Sequence, residues 1–221
     1  DAAAPARLDI DKLIEQVVEK GIFVQPTMRV VLSEKNIFNW DLLSHPGIEK
    51  TLPAALINWL NTAEGKWGQD DLIDIYSDST LLDNRIIPAV YLDSLCQRLY
   101  NMVSLMNRKG VKFIFGTDTP TSAAGLGGVP GLNGFLELQA MEKAGISPEE
   151  IFLTATYRNA LALKLNDRIG SVEKGKKANL LILLSNPLVN INAYNDIEKV
   201  IIEGKMVKRE YLSAAKSNKN K

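Results

Sequence analysis

A chain of 221 residues, 46% of them hydrophobic and 24% charged, can bury a sizeable core, which excludes a disordered chain. Its 26 Lys and Arg balance 26 Asp and Glu, so bulk charge recommends neither nucleic acid nor a membrane surface as partner, and no apolar run approaches a bilayer span. A small molecule is the expected partner, and the single cysteine, Cys96, excludes an intrachain disulfide and a cysteine-based zinc cluster while leaving the compartment undecided.

In chain order, Asp1 to Arg7 lacks the apolar stretch of a signal peptide. Ile10, Leu13, Ile14, Val17 and Val18 then fall at helical spacing before Gly21, and Ile22 to Gln25 reads as a short buried strand ended by Pro26. Residues 27–80 carry weaker signals, with helices expected near 53–64 and 69–77 around turns at Pro46-Gly47 and Gly65. Trp40, Trp59 and Trp67 are expected to pack this stretch, with pocket lining as the alternative. A stronger helix is predicted over 88–109, with Val90, Leu92, Leu95, Cys96, Leu99, Val103 and Met106 on its apolar face, so Cys96 reads as core rather than nucleophile.

Val111 to Phe115 reads as a second strand, and its end delivers Gly116-Thr117-Asp118-Thr119-Pro120 and a Gly-rich loop from Gly125 to Gly131. A helix follows around Phe135 to Met141, and Ser147-Pro148-Glu149-Glu150 is a capping-box helix start with proline at its first position. The helix-strand-helix-strand order, with long connections, argues for parallel pairing and the α/β class. After Asp167 the pattern changes to short strands at 169–172, 178–183, 197–202 and 206–207, with a hairpin turn at Glu203-Gly204-Lys205. The Lys-, Asn- and Ser-rich end is expected to be disordered.

A carboxylate at the mouth of a parallel strand stands where α/β folds place catalytic groups, and Asp118 has that address. On position alone a turn former or helix N-cap is the stronger reading. The Gly-rich loop lacks the Gly-Lys-Ser/Thr ending of a P-loop and the spacing of a dinucleotide fingerprint, so Gly127 and Gly128 are read, with Thr119, as substrate contacts on a mobile loop rather than as a phosphate cradle. Nucleotide binding through 125–131 is the weaker alternative. His45, the only histidine, is read as a turn residue before proline rather than a metal ligand, because it sits far from any strand end.

From Gly110 to Val207 the chain resembles the C-terminal region of the amidohydrolase superfamily, in the branch of imidazolonepropionase-like and Xaa-Pro dipeptidase-like enzymes. The resemblance rests on Gly116-Thr117-Asp118, on Glu137 with Met141 to Glu150, on Ala155 to Ala160, on Ile169 to Leu180, on Asn186-Pro187-Leu188 and on the Val200 to Val207 hairpin, in that order. It implies the C-terminal part of a (β/α)8 TIM barrel over 1–166, contributing about the last two strands, then return strands of a small β-sandwich over 167–210 and a disordered tail over 211–221. It also implies that Asp118 binds a divalent metal, zinc by preference, and moves a proton. Asn179 departs from the family's usual aspartate, at a sandwich position. The family's histidine ligands and its Lys or Glu ligand have no counterparts here. The resemblance therefore implies a fragment of a hydrolase of carbon-nitrogen bonds in a cyclic amide or dipeptide-like substrate. Such a fragment is expected to lack metal and activity without its N-terminal part or a second chain. A non-catalytic scaffold or binding protein derived from this fold is the alternative. Two strands cannot close a barrel, so Val24, Phe113 and Phe115 are expected to be more exposed than core residues.

Overall fold

The computed structural model describes residues 9–39, 41–77, 88–119 and 127–214. Helix α1 (Ile10–Glu19) starts where the Asp9 side chain accepts the Lys12 N–H at 3.1 Å, and it turns Ile10, Ile14 and Val17 toward the core. Strand β1 (Phe23–Val24) follows and lies parallel to β2 (Lys112–Phe113), pairing Phe23 with Lys112 and Val24 with Phe113. The Ile114 N–H adds one more bond, to the Val24 carbonyl at 3.0 Å. Parallel pairing needs a crossover connection of a dozen or more residues, and the helical stretch between the two strands supplies it.

Between these strands lie α2 (Met28–Phe38), two short helices α3 (Ile48–Thr51) and α4 (Ala54–Leu60), then α5 (Trp67–Ser77) and the long α6 (Pro88–Arg108). Beyond β2 come α7 (Leu132–Lys143) and α8 (Pro148–Leu153), which continues through a π-helical turn (Thr154–Arg158) into α9 (Asn159–Ala162). Ser147 caps α8 by accepting the Glu150 N–H at 3.3 Å, with Pro148 in the first turn as its sequence requires.

One core joins α1, α2, α6, β2, α7 and α8 through Ile14, Met28, Val103, Phe113, Met141 and Ile151. Phe113 is only 2% exposed, while Val24 and Phe115 are half-buried. The expected exposure of Phe113 is thus corrected: helices cover it, and burying such a ring contributes about 1.5–3 kcal/mol. Leu13, Val18 and Val90, read as core-facing, are exposed. So are Trp59 and Trp67, which corrects their reading as packing residues, and Trp40 lies outside the described residues. Cys96 is buried on α6 as expected, and burial pushes its thiol up.

The open side of β2 is closed by a side chain. Asn159 accepts the Phe115 N–H at 2.7 Å through Oδ1 and donates Nδ2 to the Phe115 carbonyl at 2.9 Å, imitating a neighbouring strand. Asn159→Ala leaves both main-chain groups without these partners. It is expected to cost about 1–3 kcal/mol in urea unfolding.

The second sheet is antiparallel, in the order β3 (Leu180–Leu183), β4 (Ile197–Ile202), β5 (Lys205–Val207), with the hairpin turn at Glu203-Gly204. Asn179 accepts the Glu203 N–H at 2.8 Å, a task an aspartate would perform equally. Residues 169–172 are not a strand; Gly170 is wedged against Ala160, and Val172 is 82% exposed. Leu181, Ile182, Ile202 and Met206 also leave apolar surface open on this sheet. Arg209–Leu212 forms a 3-10 turn, and the Ala214 N–H reaches the Lys50 carbonyl at 3.0 Å; residues 215–221 of the expected tail lie outside the described residues.

Candidate functional site

The carboxyl ends of β1 and β2 lie side by side, and both chains turn there through a left-handed residue, Thr27 at φ 47° and Asp118 at φ 46°. Between them, Gly116 is packed so closely under the Gln25 amide that a Cβ would lie 2.4 Å from its Cδ. Gln25 in turn donates Nε2 to Thr27 Oγ1 at 3.1 Å. This local geometry leaves Asp118 exposed, with no hydrogen bond or ion pair to another described residue. Its left-handed backbone is one that a turn-forming aspartate adopts, and its side chain caps no N–H among the described residues. Beside it, Thr117 and Thr119 share a hydroxyl contact of 2.8 Å.

Helix α7 ties this segment to α2. Asn133 and Glu137, one turn apart and both buried, face inward in a stripe otherwise made of Leu132, Leu138 and Met141. Asn133 donates Nδ2 to Thr119 Oγ1 at 2.7 Å and accepts from Arg29 Nε at 2.9 Å. Glu137, with no exposed surface, accepts the Met28 N–H at 2.9 Å and the Arg29 N–H at 2.8 Å, so it caps α2 from another helix. Burial pushes the Glu137 carboxyl up, and the two N–H groups and the Arg29 charge oppose it. Burial likewise lowers Arg29, although Glu137 counteracts it.

Arg29 also lines a cavity of about 350 Å³ between α2, the turn around His45 and the start of α7, shared with Asp41, Gly127 and Leu132. Gly127, at φ +72°, leaves no room for a side chain, since a Cβ would sit 2.9 Å from that of Ser33. Gly127 and Gly128 are both buried, and Gly127 reaches the cavity; Gly125 and Leu126 lie outside the described residues. His45 is a turn residue, its Nδ1 accepting the Gly47 N–H at 3.0 Å, yet it faces this cavity too. Thr119 joins the polar chain to Arg29, and Asp118 stands outside it.

Arg29, Asn133 and Glu137 were not assigned roles by motif. The available signal was the pair of polar residues at i and i+4 interrupting an apolar stripe. No group of three or more His, Cys, Asp or Glu able to hold a metal occurs among the described residues. One carboxylate does not fit a catalytic divalent ion, which takes about three protein ligands.

A short parallel pair under helices, with an exposed carboxylate beyond its carboxyl end, defines a mixed α/β protein. The chain belongs to the amidohydrolase family, whose model matches residues 14–207. Among solved structures, molinate hydrolase is similar with a TM-score of 0.54 and 19% identity, over 91% of this chain and 36% of that one. At that identity the likeness concerns the fold alone. A Xaa-Pro dipeptidase with bound methionine in its active site gives a TM-score of 0.46 at 24% identity, over 62% of this chain and 33% of that one. An amidohydrolase from Thermotoga maritima gives 0.39 at 26% identity, over 50% and 26%. The chain spans about a third of the length of the first of these relatives to be compared. No curated protein matches it.

Proposed function

We propose that this chain supplies the C-terminal part of a metal-dependent hydrolase of carbon-nitrogen bonds, acting on a cyclic amide or dipeptide-like small molecule. In this reading β1 and β2 are the last two strands of a (β/α)8 barrel over 1–166, and β3 to β5 belong to a β-sandwich over 167–210. Asp118 carries the reading. It holds an uncommon left-handed backbone and has no described partner that would explain it structurally, and such outliers collect at functional sites. In this reading its carboxylate takes a proton from an attacking water and passes it to the departing nitrogen. Thr119, Gly127 and Gly128 are the proposed substrate contacts, and the missing metal ligands come from the N-terminal part of the same protein or from a second chain.

The test is hydrolysis of Xaa-Pro dipeptides and cyclic amides by the protein carrying its complete ligand set, with and without Asp118→Asn. For the chain itself, equilibrium dialysis against zinc is expected to show weak binding, far short of one chelator-resistant ion, because Asp118 offers a single carboxylate. Stoichiometric, chelator-resistant zinc would show that the chain's own side chains complete a site.

A further inference from the structure

Asp118 keeps its left-handed backbone, φ 46°, although its own side chain makes no hydrogen bond or ion pair to another described residue. That conformation costs free energy for a residue with a Cβ and lasts only where the surrounding chain leaves no alternative. The constraint therefore comes from the residues on either side, and two asparagines from separate helices hold them. Upstream, Asn159 takes both main-chain groups of Phe115, at 2.7 and 2.9 Å, while the Ile114 N–H points the other way to the Val24 carbonyl. Strand β2 is thus gripped on both edges three residues before Asp118. Downstream, Asn133 donates to Thr119 Oγ1 at 2.7 Å, and Thr119 shares its hydroxyl contact with Thr117. Only residues 116–118 lie between the two grips, and Gly116 is pressed under the Gln25 amide.

Neither asparagine is loose. Asn133 is buried and accepts from the buried Arg29 with its other side-chain atom. Asn159 follows directly on the π-helical turn Thr154–Arg158, which is braced by the Arg158–Glu150 ion pair at 2.6 Å and by Gly170, where a Cβ would lie 2.5 Å from that of Ala160. One extra residue in a helical turn rotates all that follows by about 100°, so the π turn decides that residue 159 meets β2, and such turns concentrate at functional sites. We infer that Asn133 and Asn159 are positioning residues that together impose the left-handed turn at Asp118 and so present its carboxylate beyond the strand end. The clamp is a property of this chain; only the use made of the carboxylate rests on the hydrolase reading above.

NMR of the chain itself follows Asp118 through the strong intraresidue cross-relaxation between N–H and Cα–H that a positive φ produces, in wild type, Asn133→Ala, Asn159→Ala and the double variant. Wild type is expected to show it, each single variant to weaken it, and the double variant to lose it, while the amides of β3 to β5 keep their positions. Asn159→Asp retains the acceptor for the Phe115 N–H but not the donor to the carbonyl; it is expected to fall between wild type and Asn159→Ala, and it decides if an alanine variant does not fold. A left-handed Asp118 that persists unchanged in the variants, or a wild type without it, would overturn the clamp. In the protein carrying its complete ligand set, Asn159→Ala is expected to lower kcat about tenfold or more with KM within about twofold, since a carboxylate about 1 Å out of place loses its reach while the substrate contacts remain. Relaxation of the turn without that loss would leave the clamp standing and remove Asp118 from the mechanism, so the clamp and the hydrolase reading fail separately.

Discussion

Glu137→Ala is expected to destabilise the chain by about 3–5 kcal/mol, because it removes an acidic group whose charge offsets the burial of Arg29 and strips the start of α2 of its cap. Three consequences act together. The Met28 and Arg29 N–H groups, now bonded at 2.9 and 2.8 Å, face a void; the guanidinium loses the Glu137 charge that offsets its burial; and α2 loses the anion at its positive end. Glu137→Gln keeps the shape and one good acceptor, so about 1–3 kcal/mol is expected for it. Urea unfolding of the two variants and the wild type measures both. A loss under about 1 kcal/mol for the alanine variant would mean that α2 is held by its packing alone.

The pH dependence has a definite sign. Burial raises the Glu137 carboxyl above its ordinary 4.5 against the pull of the Met28 and Arg29 N–H groups. A group with a raised native value binds its proton more tightly when folded. Its contribution is fully present below the ordinary value and is lost as pH rises through the raised one. The stability of wild type relative to Glu137→Gln should therefore fall with rising pH across that window. Glu150 works the other way, since its hydrogen bond to Arg158 lowers it and its contribution is lost as pH falls. Subtracting the glutamine variant isolates Glu137, because Glu150 is common to both.

What was legible in the sequence is what is locally encoded. The 3.6-residue period marked α1 and α6, Ser147-Pro148 marked the start of α8, and the hairpin at Glu203-Gly204 follows from its turn residues. Helix α2 was not legible, because its cap is a carboxylate 109 residues away, whereas Thr27 at its head makes no side-chain cap. The expected strand at 169–172 failed for the complementary reason: a short apolar run becomes a strand only where a partner stands beside it, and here Gly170 packs on the π-helical turn instead. The site divides likewise. The address of Asp118 follows from one strand and its end, but the chain Thr119–Asn133–Arg29 joins residues up to 104 positions apart and exists only after packing. His45 reads from the sequence as a turn residue and is one, and that description does not exclude its lining a cavity, because one ring nitrogen serves the turn and the other has no partner among the described residues.

Asp118→Asn, introduced into the protein with its complete ligand set, is expected to lower kcat by about 10²–10⁴-fold, the range typical of removing a positioned proton acceptor. The substitution changes volume hardly at all, and Asp118 is exposed with no described partner, so no structural debt accompanies it. The melting temperature should therefore stay within about 2 °C of wild type, which separates lost chemistry from lost fold. The substrate-binding side predicts a split as well. If Asp118 only moves protons, KM changes little while kcat falls, because the substrate is held by contacts the variant keeps. Asp11→Asn, on the exposed side of α1 and ion-paired with Lys109 at 3.0 Å, supplies a control that removes a carboxylate from a surface pair and should leave turnover alone. Wild-type turnover in the Asp118 variant would remove that carboxylate from the mechanism, and with it the functional reading of the left-handed turn that ends β2.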